Sequence, residues 1–541
     1  MINPADKYGN CRYTFLKSRS GETVPAIVLS RENTLPLHSV VDPMREAKRL
    51  VSTIPEDTGF IVFLGLGGGF APEAALRETN AQVIVIDFHK DSIAELLSSK
   101  DYSALLNNER FRLLTDPSRG EIKKTILEDY NPSLCGSIKT IPLRPRIEFD
   151  AELFGNAAAE IQEAIEIVSS DYSVQAHFGI RWFSNIIRNI KNANFTTKRL
   201  KNFFTTPVKE AAIVAAGPSL DRQIHLLSEC KHRGVFIIST DTAFPVLLQN
   251  GIIPDTIVSI DCQHISYYHF IGCNLKAGIP LVLDIASPPL ISGFSSSPVF
   301  FSGGHPLAQY VSAVWRPFPM LDTSGGNVTY TCLSLAEYLG ADHITLFGAD
   351  FAYVESKTYA RGTYIYPFFE KKQNRFFPAE SLFSAFLYRS PFLPKENREQ
   401  NYRETASLKM YRNKFEEKAA MMNAQITAVS GQGAPITPAQ KIPDTAKKVS
   451  DVSNASIAEK SGVQFLEQYR EDIAALPAGH ENYFSRLCLK DRQIFTTLLP
   501  CLAALRHRRS GLKTKDLAKN LIEETKLLCI QKITSVLKQT P

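Results

Sequence analysis

No two of the nine cysteines form a C-x-x-C pair, which removes zinc ribbons and thioredoxin-type redox motifs from consideration. They stand singly at 11, 135, 230, 262, 273, 332, 488, 501 and 529, a scatter that suits a reducing compartment. Long apolar runs are missing too: the longest is about a dozen residues, short of the ~20 that a membrane helix needs, so no membrane span is expected. The opening MINPADKYGNCRYTF lacks the charged-then-apolar layout of a signal peptide, and a cytoplasmic location is expected. Charge of one sign is scarce. A net +6 over 541 residues gives no footing for nucleic acid. The imbalance is local: residues 461–541 carry 13 Lys+Arg against 8 Asp+Glu, either as solvated helical faces or as a docking surface for an acidic partner.

What is present is strand–helix alternation in a chain too long for one core, so three units and an α/β fold are expected. FIVFLGLG (60–67), the turn GGGFAPEAALRE and AQVIVIDF (81–88) make a strand–turn–helix–strand unit, and the alternation runs to about residue 145. Residues 1–150 therefore predict a Rossmann-like domain, and 151–205 a helical connection with Ile161, Ala164, Ile165 and Val168 on one face. A second α/β domain is expected over 206–440. Its strands are AAIVAAGPSL (211–220), VFIIST (235–240), TIVSID (256–261), IPLVLDIA (279–286), SPVFFSG (297–303), HITLFGAD (343–350) and AQITAVS (424–430), with MLDTS (320–324) strand-like and TYTCLSLAEYLGA helical. Small polar residues at 439–456 read as a linker, and three helices follow in a C-terminal helical domain, 441–541.

Four clusters carry the chemistry. The Gly65–Gly69 turn with Asp87 at the next strand end is a weak ligand signal, because tight packing also needs glycine. Gly217-Pro218-Ser219 joins a strand to a helix, where free N–H groups suit a phosphate. The following strands end in Asp241 and Asp261, and ligands of open parallel sheets bind beyond that edge. Ser324, Gly325 and Gly326 open a later helix; Asp350 then starts a loop with Tyr353, Glu355, Lys357, Tyr359, Arg361, Tyr364 and Tyr366, groups suited to phosphate and sugar.

At these residues the chain resembles the motility-associated factor (Maf)/DUF115 family, within the superfamily of the MptE-like 6-hydroxymethylpterin pyrophosphokinases. The matching stretches are LHSVVDPMREA (37–47), GPSL (217–220), GIIPDTIVSID (251–261), SGGNV (324–328), GADFAYVESKTYARGT (348–363) and AVSGQGAPI (428–436), in order, with the tail uncovered. The resemblance implies a central sialyltransferase-like domain of GT-A type. It also implies transfer of a nonulosonic acid, pseudaminic or legionaminic in type, from a CMP-activated donor to Ser or Thr of flagellin, with no cofactor required. On that model Gly217, Pro218, Ser219, Asp241 and Asp261 hold CMP with Tyr353, Ser324, Gly325 and Gly326 line the donor site, and Asp350, Glu355 and Tyr359 act at the leaving group. Metal dependence and self-association stay open.

One position departs from the family motif: Tyr359 stands where the family has histidine. A phenol is a poor base near neutral pH. Either Tyr359 only positions phosphate or the base lies elsewhere, among Glu355, Asp350, Asp261, His264 and His305. Two other readings stand beside the transferase. One is a pterin pyrophosphokinase using ATP, with Asp241, Asp255 and Asp261 on magnesium. The other is a flagellin-binding protein without catalysis.

Overall fold

The computed structural model describes residues 11–193, 208–273, 278–295, 298–395, 401–437, 460–479, 483–509 and 517–539. The expected linker at 439–456 and the end of the helical connection, 194–205, lie outside the described residues. The fold is mixed α/β, and the chain divides into two compact units, Met1–Gly179 with Pro477–Leu487 and Leu499–Thr525, and Ile180–Leu476 with Cys488–Leu498 and Lys526–Pro541.

The first unit opens on an antiparallel sheet of β1 (Tyr13–Lys17), β2 (Thr23–Val28) and β3 (Thr34–Pro36). A parallel sheet follows, built from β4 (Thr58–Leu64), β5 (Gln82–Asp87), β6 (Phe111–Thr115) and β7 (Ser137–Pro142) in the order β6-β5-β4-β7. β4 reads as a continuous apolar run because both its faces are covered. Ile61 and Phe63 face one core; Phe60, Val62 and Leu64 face another, which Phe154, Ala157, Ile161 and Ala164 of the helix Ala151–Asn192 close.

In the second unit seven strands form one parallel sheet: β8 (Glu210–Val214), β9 (Phe236–Thr240), β10 (Thr256–Ser259), β11 (Leu281–Asp284), β12 (Pro298–Phe301), β13 (His343–Phe347) and, after a short antiparallel pair β14 (Tyr353–Val354) and β15 (Tyr402–Arg403), β16 (Gln425–Ala428). Their order is β12-β11-β10-β9-β8-β13-β16. The chain thus walks outward from β8 to β12 and returns to the other side of β8, which puts the switch point between β8 and β13. Met320, expected within a strand, makes only an isolated bridge to Ser302.

The tail holds five helices in the described residues rather than three: Gly462–Ala475, Tyr483–Arg486, Leu489–Thr496, Leu499–Arg508 and Leu517–Lys538. They belong partly to each unit. In the second unit Phe465 stacks on Trp315 and Tyr469; in the first, Arg506 donates to the carbonyls of Ser133 and Leu134. Several of the tail's residues are therefore core, which a charge count does not reveal. Among the described residues no helix is long and apolar enough to cross a membrane.

Candidate functional site

The Gly-rich turn of the first unit is filled by the unit's own side chains. Gly67 has a φ of 51°, and a Cβ there would meet His38 Nε2 at 2.4 Å. Burial pushes His38 down to about 4, so it is neutral and its Nε2 accepts from the Gly68 N–H at 2.8 Å. Asp87, the candidate for a ribose, is fully buried: it accepts from Leu66 N at 2.7 Å, Phe88 N at 2.8 Å and Arg146 Nε at 3.0 Å. Arg146 also pairs with Asp150. These glycines serve packing, and Asp87 is the counter-ion of a buried arginine.

The second unit gathers its polar groups along the C-terminal edge of the seven-stranded sheet. At the switch point the turn after β8 meets the turn after β13. Gly217 N donates to Gly348 O at 2.8 Å and Ser219 N to Asp350 Oδ2 at 2.8 Å. A Cβ on Gly217 would stand 2.5 Å from Asp350 Oδ2, which is why this position is glycine. Pro218, Ser219 and Asp350 are buried. The Ser219 hydroxyl accepts from Gln432 N at 3.1 Å, and Ala434 N donates to Asp350 O at 2.8 Å. The Ser219 N–H, which the sequence reserves for a phosphate, is thus bonded to the protein's own carboxylate. Burial pushes the Asp350 carboxyl upward and the bond from Ser219 pulls it back.

Beyond β9, Asp241 is buried with both oxygens engaged: Oδ2 accepts from the Ser259 hydroxyl at 2.7 Å, Oδ1 from Thr242 N at 2.7 Å and its hydroxyl at 3.0 Å. Asp261, past β10, is half-buried and accepts from Gln263 N at 2.9 Å. Burial, with Asp241 adding to it, raises its carboxyl above the ordinary value. A third strand ends in the same way: Asp284 of β11 is buried, accepts from Ala286 N at 2.8 Å, and lies 3.7 Å from His305 Nε2. The His305 ring in turn lies 4.2 Å from Trp182.

The loop after β13 folds toward this edge. Three of the five non-glycine residues with left-handed backbone among the described residues are in it, Phe351, Glu355 and Ser356, a strain that clusters at functional segments. Ala360 N donates to Ala216 O at 2.9 Å, which ties the loop to the β8 turn. Burial raises the Tyr359 phenol, Arg389 lowers it, and the charges of Tyr353 and Asp241 add to the rise. Tyr364 and Tyr411 are also raised by burial; Asp261 acts on both in the same sense and Arg389 opposes it. The Tyr359 ring lies 6.4 Å from Tyr364 and 6.4 Å from Phe386, and the Arg389 guanidinium sits over the Phe386 ring at 4.0 Å. His269 packs edge-on to Tyr364 at 4.5 Å; it is buried, and burial holds it neutral. Tyr353 pairs with Arg403 across β14–β15.

The other sequence candidates fall as follows. Ser324 N donates to Asp322 Oδ1 at 2.9 Å, the Tyr330 hydroxyl bonds Asp322 Oδ2 at 2.7 Å, and Asn327 caps the helix Val328–Tyr338. A Cβ on Gly325 would meet the Tyr330 ring, and one on Gly326 would lie 3.1 Å from Tyr411, which brings this turn to the tyrosine cluster. Glu355 is exposed and held below the usual carboxylate range by Lys357 and Arg222. That makes it a weak base. His264 is exposed on the short helix His264–His269. Asp255 is at the opposite end of the sheet, before β10, bonded to Lys231 and Ile237 N at 2.8 Å each, so it cannot share a magnesium with Asp241 and Asp261.

Sequence reasoning missed Asp284, although β9, β10 and β11 each have an acid at the strand end or within two residues of it, in the series STD, SID and VLD. It also missed Asn185 and Asn189, one turn apart on a helix. Asn185 Nδ2 donates to Cys262 O at 3.0 Å and Ala286 O at 2.8 Å, Asn189 Nδ2 to Ile285 O and Ser287 O at 2.8 Å each. Together they clamp the loops that carry Asp261 and Asp284.

These features define an α/β protein with polar groups gathered along the C-terminal edge of a parallel sheet. Its fold is similar to that of the MAf glycosyltransferase from Magnetospirillum magneticum AMB-1, with a TM-score of 0.55 and 14% identity over 98% of this chain and 92% of that one. Residues 184–356 match the family model described as 6-hydroxymethylpterin diphosphokinase MptE-like. Two uncharacterized proteins of Treponema pallidum (strain Nichols) are related in sequence. One is 35% identical over 187 residues, 33% of this chain and 87% of that protein; the other is 37% identical over 123 residues, 22% of this chain and 44% of that protein. Residues 184–356 thus group with the MptE-like family, and the likeness to the MAf glycosyltransferase is one of fold.

Proposed function

We propose that the chain is a cytoplasmic glycosyltransferase that moves a nonulosonic acid, pseudaminic or legionaminic in type, from a CMP-activated donor to Ser or Thr hydroxyls of flagellin. The observation that carries the reading is the gathering of Ser219 and Asp350 at the switch point with Asp241, Asp261 and the Tyr359–Tyr364 pair along the same C-terminal edge of the sheet. The fold shared with a glycosyltransferase supports it.

In this reading the acceptor hydroxyl attacks the anomeric carbon, the bond from that carbon to the CMP phosphate oxygen breaks, and the proton passes to a carboxylate. Asp261 fits the last role best: its raised affinity for protons matches a base better than the depressed Glu355 does. The Tyr359 hydroxyl and Arg389 are the donors this reading assigns to the departing phosphate, where a donor is most effective as charge develops. A pyrophosphokinase reading has less support, because Asp255 is remote from the other two acids.

Calorimetry with CMP, UDP and ATP tests the donor, and the intact mass of flagellin from a strain lacking this chain tests the reaction. Binding of CMP and loss of a repeated sugar mass are expected. Tight ATP binding with no response to CMP would sink the proposal.

A further inference from the structure

The helix Ile365–Lys372, the turn after it and the returning helix Ala379–Leu387 form a hairpin whose tip carries none of the site residues. At its tip Phe376 is 83% exposed and Phe377 61%. Such exposure of adjacent large aromatics is not the result of a loose loop. Asn374 N donates to Phe377 O at 3.0 Å, Phe377 N to Asn374 O at 3.1 Å, and the Asn374 side-chain oxygen accepts from both phenylalanine N–H groups. The turn is fastened from within, so the rings are displayed in a fixed place, as a binding anchor requires.

Charge around the tip is positive on balance. In sequence the tip is flanked by Lys371, Lys372 and Arg375 against Glu370 and Glu380, a positive excess, and the Lys372 ammonium sits over the Phe368 ring at 4.0 Å. The base of the hairpin belongs to the candidate site: Tyr364 precedes the first helix, and Phe386 of the second lies 6.4 Å from Tyr359. Eight helical residues set the tip about 12 Å from Tyr364. A sugar nucleotide at the sheet edge does not need contacts that far out, but a polypeptide that presents a hydroxyl there reaches the tip within about four extended residues.

We propose that the Phe376–Phe377 tip is the docking surface for the acceptor polypeptide, which meets it with an apolar side chain flanked by acidic residues. The proposal rests on the transferase reading for the identity of the acceptor. Its test uses the full chain and flagellin monomer, with capture on a sensor surface read apart from sugar transfer. Phe376→Ser with Phe377→Ser should weaken capture and raise KM for flagellin at least about 10-fold, as loss of a paired anchor does, with kcat and CMP affinity unchanged. Lys372→Glu with Arg375→Glu should slow association and flatten its salt dependence. Wild-type capture and KM in the phenylalanine variant would overturn the surface and leave the transferase reading intact. Capture through these rings with no sugar transferred keeps the surface and removes the transferase reading. Vesicles of equal parts phosphatidylglycerol and phosphatidylethanolamine form the control arm. Vesicle binding lost in the phenylalanine variant while flagellin capture persists would assign the tip to a lipid surface and overturn the proposal.

Discussion

The backbone N–H of Ser219 donates to the carboxylate of Asp350 across 131 residues of sequence, at 2.8 Å. This bond joins the turns after the two strands between which the parallel sheet reverses its order. An anion at a helix start is favourable, and here the protein supplies it. Asp350→Ala should destabilise the second unit by about 2 kcal/mol, the scale for an orphaned buried donor. Asp350→Asn, whose amide oxygen still accepts, should recover most of that. Urea unfolding of the three proteins measures the series; equal stability of wild type and the alanine variant would remove the bond from the account.

Asp261 has its folded carboxyl raised by burial and by Asp241. As a base it must be ionised, so turnover should fall as pH drops through a value above the ordinary carboxylate range. Asp261→Asn should abolish that acid limb and lower kcat by 10²-fold or more, the usual scale for a general base. A pH–rate profile of the variant that keeps the limb would place the base elsewhere.

Tyr359 tests the departure from the family motif. Its hydroxyl suits donation to a leaving phosphate and not proton removal, since burial raises the phenol further. Tyr359→Phe should lower kcat by roughly 10²-fold with CMP affinity unchanged. Transfer at the wild-type rate would show that the hydroxyl has no catalytic part.

His38 is held down to about 4 against an ordinary 6.5, chiefly by burial. A depressed folded value means that its contribution to stability is complete above the unfolded value and is lost as pH falls through the folded one. Between about pH 6.5 and 4 the first unit should therefore lose on the order of 3 kcal/mol. His38→Gln keeps an acceptor for Gly68 N and should flatten that slope. Thermal unfolding of both proteins at several pH values checks it; parallel curves would dismiss His38 as the cause.

The two Gly-rich turns illustrate how far local sequence carries a site. Both follow a buried strand and open a helix, and both have an acid that closes on the turn. Around Gly67 the space is filled by His38, and Asp87 is spent on Arg146. Around Gly217 the partner is Asp350, and the strands beside it bring Asp241 and Asp261 to the same edge. Nothing in either turn distinguishes the packed one from the one at the candidate site, because the residues that decide it come from 30 to 130 positions away.

By itself the sequence determined the elements: apolar runs of strand length, helices of regular period, and glycines where a backbone must come close. It also marked Asp241 and Asp261 at strand ends, since a parallel sheet sends every such end to one edge. Tertiary structure alone decided which acids are buried, which N–H groups are already satisfied, and that Tyr364 packs with His269 and Tyr359 while Tyr411 approaches the Gly326 turn. The physical reason is that pairing and burial are properties of neighbours in space. The order β12-β11-β10-β9-β8-β13-β16 makes neighbours of segments that the chain keeps far apart.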